Sequence, residues 1–295
     1  MNTMSSFLER NLPTIRIATW NILAKEQGRS NRLNTIIETL YPLDLDVICL
    51  QECWSGAEVE IARALGMNSV AFYEAKNGGG FGNAVLSRFP LATEAPIEYA
   101  ALPSAGGDSN EVCLVALSLL SPSGRMWRIG STHLSWGSHN EGKRLRQIQD
   151  IERLARQADL HSTSDLIHVL CGDLNAQPHS STIRYITGLD PDRNDESTLW
   201  VDAWDTAEKA PGYTSSNENP MGIDTALSVG ISNPAWIPNR RIDYILTRGF
   251  AYGRPGSPIS VKLLDRPYLG EYGSDHYGIV ANLWDPQVSS SEALK

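Results

Sequence analysis

The chain has 295 residues, of which 41% are hydrophobic and 20% are charged. This content excludes an intrinsically disordered or fibrous protein, and a chain of this length can bury a large core without disulfide bonds. The formal net charge is −9, from 34 acidic and 25 basic residues, so the chain lacks the basic charge of proteins that coat nucleic acid. A nuclease is not excluded, because acidic residues around a metal lower the net charge while a local groove stays basic.

The sequence also favours a cytoplasmic location. No stretch approaches the roughly 18 apolar residues of a membrane span. Residues 1–11 have neither the basic start nor the apolar segment of a secretory signal. The four cysteines form no CxxC pair, so we expect them to be free thiols that act as small hydrophobic residues. The oligomeric state is left open.

Short β-branched runs alternate with helical patterns from residue 15 to residue 283. In chain order, the patterns predict a strand at 15–20, a helix at 31–41, a strand at 47–50, a helix at 57–65, strands at 70–73, 84–87, 112–119 and 127–132, a helix at 141–158, and strands at 166–170, 242–247, 259–264 and 279–283. Continuous strand runs early in the chain and hairpin-spaced runs later indicate mixed rather than purely parallel sheets.

The segment 211–239 is rich in Ser, Asn, Gly and Pro and shows no clear period. A loop of this length inside a compact domain is usually functional or mobile. Because it holds Tyr213, Met221, Leu227 and Trp236, we expect it to act as a lid over a substrate. The polar ends, 1–12 and 286–295, are predicted to be mobile, and one domain is predicted at 13–285.

Polar side chains recur where apolar runs end or begin. They are Asn21, Gln51, Glu52, His133, Asp173, Asn175, Asp243, Asp275 and His276. If the strands end at one edge, these side chains gather in one cleft; Asp173 and Asn175, two apart in an extended segment, would point the same way. Carboxylates, imidazoles and carboxamides without a thiol favour Mg²⁺ or Mn²⁺ over structural zinc.

Six short blocks, TWN, LQE, STHL, GDLN, RIDYI and SDH, carry a family resemblance. In this order they resemble the endonuclease/exonuclease/phosphatase superfamily of metal-dependent phosphoesterases, and they extend over nearly the whole chain. The resemblance implies an α/β (α+β) fold, a four-layer α/β/β/α sandwich in which two mixed sheets pack face to face with helices outside. It also implies a Mg²⁺- or Mn²⁺-dependent hydrolase of phosphate esters, with a phosphodiester favoured as substrate.

By position, the resemblance assigns the metal to three residues. Glu52 would be the principal magnesium ligand, with Asn21 and Asp275 in its shell. Leu23 stands where some abasic-site nucleases of the superfamily carry an acidic residue, which weighs against a second metal or that activity. The segments QECW and STHLSW are more similar to the sphingomyelinase-like and uncharacterised bacterial branches.

The same resemblance assigns catalytic roles. Asp173 would orient or deprotonate the attacking water, and Asn175 would hold a phosphate oxygen. His276 would face the phosphate as a cation that Asp243 maintains, since a neighbouring carboxylate raises the pKa of an imidazole. His133 would be a second donor to the phosphoryl group, and whether His276 is a base or a stabiliser is left open.

Several alternatives stand beside these assignments. Asn83, after a glycine turn, is a candidate to reach the cleft and bind substrate. Asp243 could instead form a structural ion pair with Arg240 or Arg241. Two other functions are considered, a DNA or RNA nuclease of the same fold and a catalytically inactive binding protein. Trp54 and Trp136 directly follow motif residues and could form walls of the cleft.

Overall fold

The computed structural model describes residues 12–26, 28–75, 79–93, 97–102, 113–162, 165–190, 198–249 and 253–288. The strands are β1 (Thr14–Asn21), β2 (Val47–Trp54), β3 (Ser69–Glu74), β4 (Phe81–Ser87), β5 (Ile97–Ala101), β6 (Cys113–Leu120), β7 (Met126–His133), β8 (Leu166–Asp173), β9 (Trp200–Asp202), β10 (Asp243–Arg248), β11 (Pro258–Leu264) and β12 (Gly278–Trp284). The helices are α1 (Arg29–Leu40), α2 (Ala57–Leu65), α3 (Glu141–His161), α4 (Ser181–Ile186), α5 (Ala203–Ala207) and α6 (Pro220–Ser228).

The strands form two six-stranded mixed sheets. The first has the order β11-β12-β1-β2-β4-β3 and the second has the order β5-β6-β7-β8-β10-β9. Each sheet contains one parallel pair, β1 with β2 and β7 with β8, and a helix, α1 or α3, connects the two strands of that pair. The predicted mixed sheets are therefore confirmed.

Three hydrophobic clusters account for the layers. One fills the space between the sheets and includes Ile17, Cys49 and Trp127. A second packs α1 and α2 on the outer face of the first sheet, and a third packs α3 and α4 on the outer face of the second. Because a buried strand alternates its side chains between two faces, each sheet serves the central layer and one outer layer. The result is the four-layer α/β/β/α sandwich that the family resemblance implies, which is thereby confirmed.

Alternation also places polar side chains at one end of the central layer. Four strand-terminal residues are in phase with core residues that face between the sheets: Asn21 in β1, His133 in β7, Asp173 in β8 and Asp243 in β10. β10 is antiparallel to β8, so its start lies beside the end of β8. The strand phase therefore directs all four side chains into one region.

Thirteen elements were predicted, and each has a counterpart in the structure, although Val112 of the predicted strand at 112–119 lies outside the described residues. The elements missing from the prediction are short ones: β5, α4, β9, α5 and α6. The expectation of an irregular segment at 211–239 was wrong in part, since α6 and a 3₁₀ turn at Pro234–Trp236 lie within it.

The ends of the chain are only partly described. Residues 1–11 and 289–295, which include most of both predicted mobile segments, lie outside the described residues. Next to the C-terminal end, the carbonyl of Pro286 accepts a hydrogen bond from Arg125 Nε at 3.0 Å, and Val288 N donates to Ser123 O at 3.2 Å. Among the described helices, none combines the length and apolar character needed to cross a bilayer.

Candidate active site

His276 lies between two buried aspartates. Its Nδ1 is 2.9 Å from Asp243 Oδ2 and its Nε2 is 3.8 Å from Asp173 Oδ2. The two aspartates occupy directly opposed positions on β10 and β8. The alternative in which Asp243 forms a structural ion pair with Arg240 or Arg241 is wrong, because the charged partner of Asp243 is His276. Arg241 bonds to Asp202 and Asp205, and Arg240 Nη2 donates to Ser215 Oγ at 3.4 Å.

The charge of His276 follows from these neighbours. Burial by itself would lower the pKa of the imidazole, but the carboxylates of Asp243 and Asp173 outweigh that effect and raise the pKa well above its ordinary value. The raised pKa favours the protonated ring, in which Nδ1–H is donated to Asp243 and Nε2–H is directed to the Asp173 side. A cationic donor of this kind suits the charge that develops on a phosphoryl group.

A β-bulge directs Glu52 towards the same region. Between Leu50 and Cys53 the register of β2 against β4 shifts, so Gln51 and Glu52 together oppose the single residue Asn83. Glu52 has φ 50°, which non-glycine residues seldom adopt. A bulge changes the face on which the next side chain projects. Strand alternation alone directs Asn21, His133, Asp173 and Asp243 into the cleft. Glu52 reaches the same cleft because of the bulge.

Asn21 links the carboxylates of the two sheets. Its Nδ2 donates to Glu52 Oε1 at 3.0 Å and to Asp173 Oδ2 at 3.1 Å, while its Oδ1 accepts from Leu23 N at 3.0 Å. The second oxygen of Glu52 accepts from Ala24 N at 2.9 Å. In this arrangement Asn21 orients Glu52 through its amide nitrogen rather than offering its oxygen to a cation.

His133 and Asn175 form a second polar pair beside Asp173. Asn175 Nδ2 donates to Leu134 O at 3.0 Å and lies 2.9 Å from His133 Nε2. The amide orientation that Leu134 requires makes His133 Nε2 the acceptor, which places the ring proton on Nδ1, 4.0 Å from Glu52 Oε1. Asn175 N also donates to Asp173 Oδ1 at 2.9 Å.

Asp275 completes the cluster from the loop before β12. Its Oδ1 accepts a hydrogen bond from Ser274 Oγ at 3.2 Å, and Thr225 of α6 bonds to the same carboxylate. Burial raises the pKa of the Asp275 carboxyl; the charge of His276 opposes the rise and the negative charge of Glu52 adds to it. Glu52 and Asp275 are therefore like-charged neighbours.

This donor set fits a hard divalent cation. Among the described residues, neither Glu52 nor Asp275 has a Lys or Arg nitrogen within 4.0 Å, so their mutual repulsion is not relieved by an ion pair with either residue type. Oxygen ligands of this kind suit Mg²⁺ or Mn²⁺. Asp173, Asp243 and His276 also have potential ligand atoms within 4.8 Å of one another. In that group His276 Nδ1 is already hydrogen-bonded to Asp243 Oδ2 at 2.9 Å, so Glu52 and Asp275 are the first candidates for the metal.

Several residues of the site were missed by the sequence analysis. Thr214, fully buried, accepts hydrogen bonds at 3.2 Å from the backbone N–H groups of Ile242 and Asp243. Asn219 Nδ2 donates to Ser274 O at 3.0 Å, and Ser274 Oγ donates to Asn21 O at 2.6 Å. No motif marks Thr214. Ser274 is the first residue of the SDH block but was given no role, and Asn219 before Pro220 is a recognisable helix start.

The other predicted residues occupy varied positions. Asn83 is buried and lies opposite the bulge that carries Glu52. Gln51, fully buried, joins the sheets by donating to Ser131 Oγ at 3.0 Å. Trp54 is buried beneath Arg29 and Arg32, so it supports the site from behind, and Trp136 is 67% exposed.

The sandwich and its Asp/His/Glu cluster define a phosphoesterase-type hydrolase. The sequence model of the Endonuclease/Exonuclease/phosphatase family matches residues 18–276, and the chain belongs to this family. Members of the family are metal-dependent phosphoesterases and nucleases, so the predicted family and enzyme class are confirmed.

Two curated proteins show what the chain is similar to. An inositol phosphosphingolipids phospholipase C from Schizosaccharomyces pombe is 30% identical over 232 residues, covering 71% of this chain and 51% of that protein. Human Nocturnin is 25% identical over 201 residues, covering 59% of this chain and 46% of that protein. The chain therefore spans about half the length of these relatives.

Solved structures support the fold. An endonuclease/exonuclease/phosphatase from Bacteroides vulgatus superposes with a TM-score of 0.69 at 16% identity, covering 92% of this chain and 98% of that chain. The human Nocturnin catalytic domain with bound sulfate gives 0.66 at 21% identity, with coverages of 92% and 94%. Danio rerio TDP2 in complex with a single-stranded DNA product gives 0.64 at 18% identity, with coverages of 92% and 99%.

Proposed function

We propose that the chain is a Mg²⁺- or Mn²⁺-dependent phosphodiester hydrolase in which water attacks phosphorus. The arrangement that carries the proposal is His276 between Asp173 and Asp243, next to the like-charged pair of Glu52 and Asp275. Phosphoryl transfer requires a positioned water and positive charge around the phosphoryl oxygens, and this cleft offers groups for both.

The proposed proton chemistry uses Asp173 and His276. Asp173 Oδ2 lies 3.5 Å from His133 Nε2 and 3.8 Å from His276 Nε2, so a water bound there would be next to both imidazoles. Asp173 is proposed to orient this water and accept its proton. His276 is proposed to donate Nε2–H to a phosphoryl oxygen, with Asp243 maintaining its charge.

The remaining residues are proposed to bind. Glu52 and Asp275, with Asn21 beside them, would hold a divalent cation, which supplies positive charge to the phosphoryl oxygens when bound. Asn175 and His133 are hydrogen-bonded to each other in this structure. On substrate binding they would replace this hydrogen bond with bonds to the phosphate oxygens. Asn83, next to the bulge, is proposed to contact the bound substrate.

A phosphodiester is favoured over a monoester because the relative with 30% identity is named as a phospholipase C, which cleaves a diester. Nucleic acid is the second candidate substrate, since DNA is bound in the structure of a neighbour with the same fold. The net charge of −9 does not favour it.

The proposal is tested with bis-p-nitrophenyl phosphate, its monoester analogue, a dispersed phosphosphingolipid and a single-stranded oligonucleotide, each with Mg²⁺ or with excess EDTA. We expect metal-dependent cleavage of the diester that exceeds cleavage of the monoester. His276→Gln should abolish it, whereas His168→Gln should not, because His168 bonds to Asp159 away from the cleft. Full activity in EDTA, or equal effects of the two substitutions, would refute the proposal.

A further inference from the structure

Arg32, at the start of α1, ties together two loops beside the cleft. Its guanidinium is buried, with 7% of the residue exposed. Nη1 donates to the carbonyl oxygens of Ile22 at 2.7 Å and Leu23 at 2.9 Å, and more distantly to that of Gly273 at 3.4 Å. Nη2 donates to the carbonyl of Lys25. One side chain thus connects the loop that follows β1 to the loop that precedes Asp275.

The same guanidinium contacts the end of β2. It lies 5.0 Å from the ring centroid of Trp54, two residues beyond Glu52. Arg29 lies 5.5 Å from that ring and donates to Ala24 O at 2.6 Å, and Ala24 N donates in turn to Glu52. Cation–π contact with a buried ring holds a guanidinium in a defined plane.

Three segments therefore meet at Arg32: the one that follows Asn21, the one that carries Glu52, and the one that leads to Asp275. All the hydrogen bonds that Arg32 makes are to backbone carbonyls, so the oxygens of Glu52 and Asp275 are left for another ligand. Only a planar fork with several donors can reach this number of carbonyls at once.

We propose that Arg32 is a positioning residue for the divalent-metal site, which it assembles by fixing the backbone around Glu52 and Asp275. This inference rests on the metal site proposed above. It adds the statement that metal affinity depends on a side chain that touches neither the metal nor its carboxylate ligands. Residues that orient ligands from behind commonly change metal affinity by about 10–100-fold.

The second parallel unit, β7–α3–β8, contains a matched control. Arg144 at the start of α3 is as buried as Arg32 and donates to the carbonyls of Ser135 at 3.0 Å and Gly137 at 2.8 Å. Those carbonyls belong to the loop that follows His133, on the opposite sheet from Glu52. Removing Arg144 thus removes a similar clamp without disturbing the segments that carry the metal ligands.

The experiment measures Mn²⁺ binding by calorimetry to the wild-type chain and to the variants Arg32→Met, Arg32→Lys and Arg144→Met. We expect both Arg32 variants to raise the Kd at least about tenfold, because lysine keeps the charge but cannot span the carbonyls. Arg144→Met should stay within about twofold of wild type. Thermal unfolding in EDTA checks that each variant is folded. If Arg32→Met is not folded, Arg32→Lys and Trp54→Leu are used for the test instead. Trp54→Leu should also weaken Mn²⁺ binding.

Other outcomes contradict the inference. The Arg32 charge also acts on Asp275 and Glu52 at longer range. If this charge alone mattered, Arg32→Lys would bind Mn²⁺ like wild type and Arg32→Met would bind it more tightly. An equal loss in Arg144→Met would show a general effect of destabilisation. If the wild-type chain itself failed to bind Mn²⁺, that result would refute the proposed metal site. The inference about Arg32 would then be refuted as well, because it rests on that site.

Discussion

Asp173 and Asp243 lie directly opposite each other on neighbouring antiparallel strands, and both are almost fully buried. Like charges in directly opposed positions destabilise a sheet. The ring of His276 contacts both carboxylates and approaches Asp243 more closely than Asp173. The site therefore places two negative charges in an arrangement that is unfavourable for folding stability.

The first prediction follows from this pair. Asp173→Asn should lower turnover of a diester at least about 10²-fold, because the proposed base is lost. In EDTA its melting temperature should equal or exceed that of the wild type, because one of two opposed charges is removed. Activity assays and thermal unfolding measure the two effects. Asp44→Asn, at an exposed position at the other end of β2, is the control and should change neither quantity much. A lower melting temperature with retained turnover would contradict both expectations.

The second prediction concerns pH. Because Asp243 raises the pKa of His276, the protonated donor persists to a higher pH than in an ordinary histidine and is lost as the pH rises through that raised pKa. In Asp243→Asn the supporting charge is absent, so the alkaline limb of the kcat profile should move to lower pH. We also expect turnover at neutral pH to fall at least about tenfold. An alkaline limb at the same pH in both proteins would show that His276 is not the titrating group.

The third prediction concerns the proposed metal ligand. Glu52→Gln should weaken Mg²⁺ or Mn²⁺ binding by roughly tenfold or more, because a hard cation loses a charged oxygen. Calorimetric titration of the metal gives the Kd without any need for turnover. Glu60→Gln, on the exposed face of α2, is the comparison and should bind as the wild type does. Unchanged affinity in Glu52→Gln would show that another group binds the metal. Asp173, Asp243 and His276 would then be the first group to examine.

The fourth prediction concerns α6. Asn219 caps this helix by accepting from Met221 N at 3.0 Å, and it also donates to Ser274 O in the loop that carries Asp275. Asn219→Ala should lower the free energy of unfolding by about 1–3 kcal/mol, since a cap and a buried partner are lost together. Asn233→Ala removes only an exposed cap and should cost less. Chemical denaturation compares them, and equal costs would show that the bond to Ser274 contributes nothing.

The strand pattern was sufficient for mixed sheets because the strands are long and regular, whereas the four-layer sandwich was implied by the family resemblance. β1 and β8 are nearly continuously buried, as expected of strands covered on both faces, and a polar residue in phase with the inward-facing positions ends each of them. The phase of the strands and their order in the chain were therefore enough to predict that Asn21 and Asp173 lie in one cleft. The family motifs added the assignment of roles, which spacing does not contain.

Two features depended on contacts that spacing does not reveal. Phase along β2 would point Glu52 away from Gln51, and only the bulge opposite Asn83 brings it to the site. Helix α6 was missed because only Ala226 is buried along it, so the apolar period that marks the other long helices is absent. Its start was readable from Asn219 and Pro220, and capping is a weaker signal than periodicity.

The lid hypothesis for 211–239 stays a prediction, in a changed form. The start of this segment cannot move freely, because Ser215 forms β-bridges with both Arg240 and His276. Leu227 and Trp236 remain exposed. Leu227→Ser with Trp236→Ser should therefore change the ranking among larger phosphate esters by about tenfold or more, the scale of lost apolar contacts. Cleavage of the small diester bis-p-nitrophenyl phosphate should change little. An unchanged ranking would count against the lid.

Asn21 and Glu52 come from one sheet, and His133 and Asp173 come from the other. The hydrogen bond between Gln51 and Ser131 is a polar contact that helps to keep the two sheets in register near them. A partly folded state that retained both sheets but loosened the layer between them would keep its far-ultraviolet circular dichroism and lose the alignment of these four side chains. Turnover in mild denaturant should accordingly disappear before the secondary structure does, so that catalysis itself measures how firmly the two halves of the sandwich are docked.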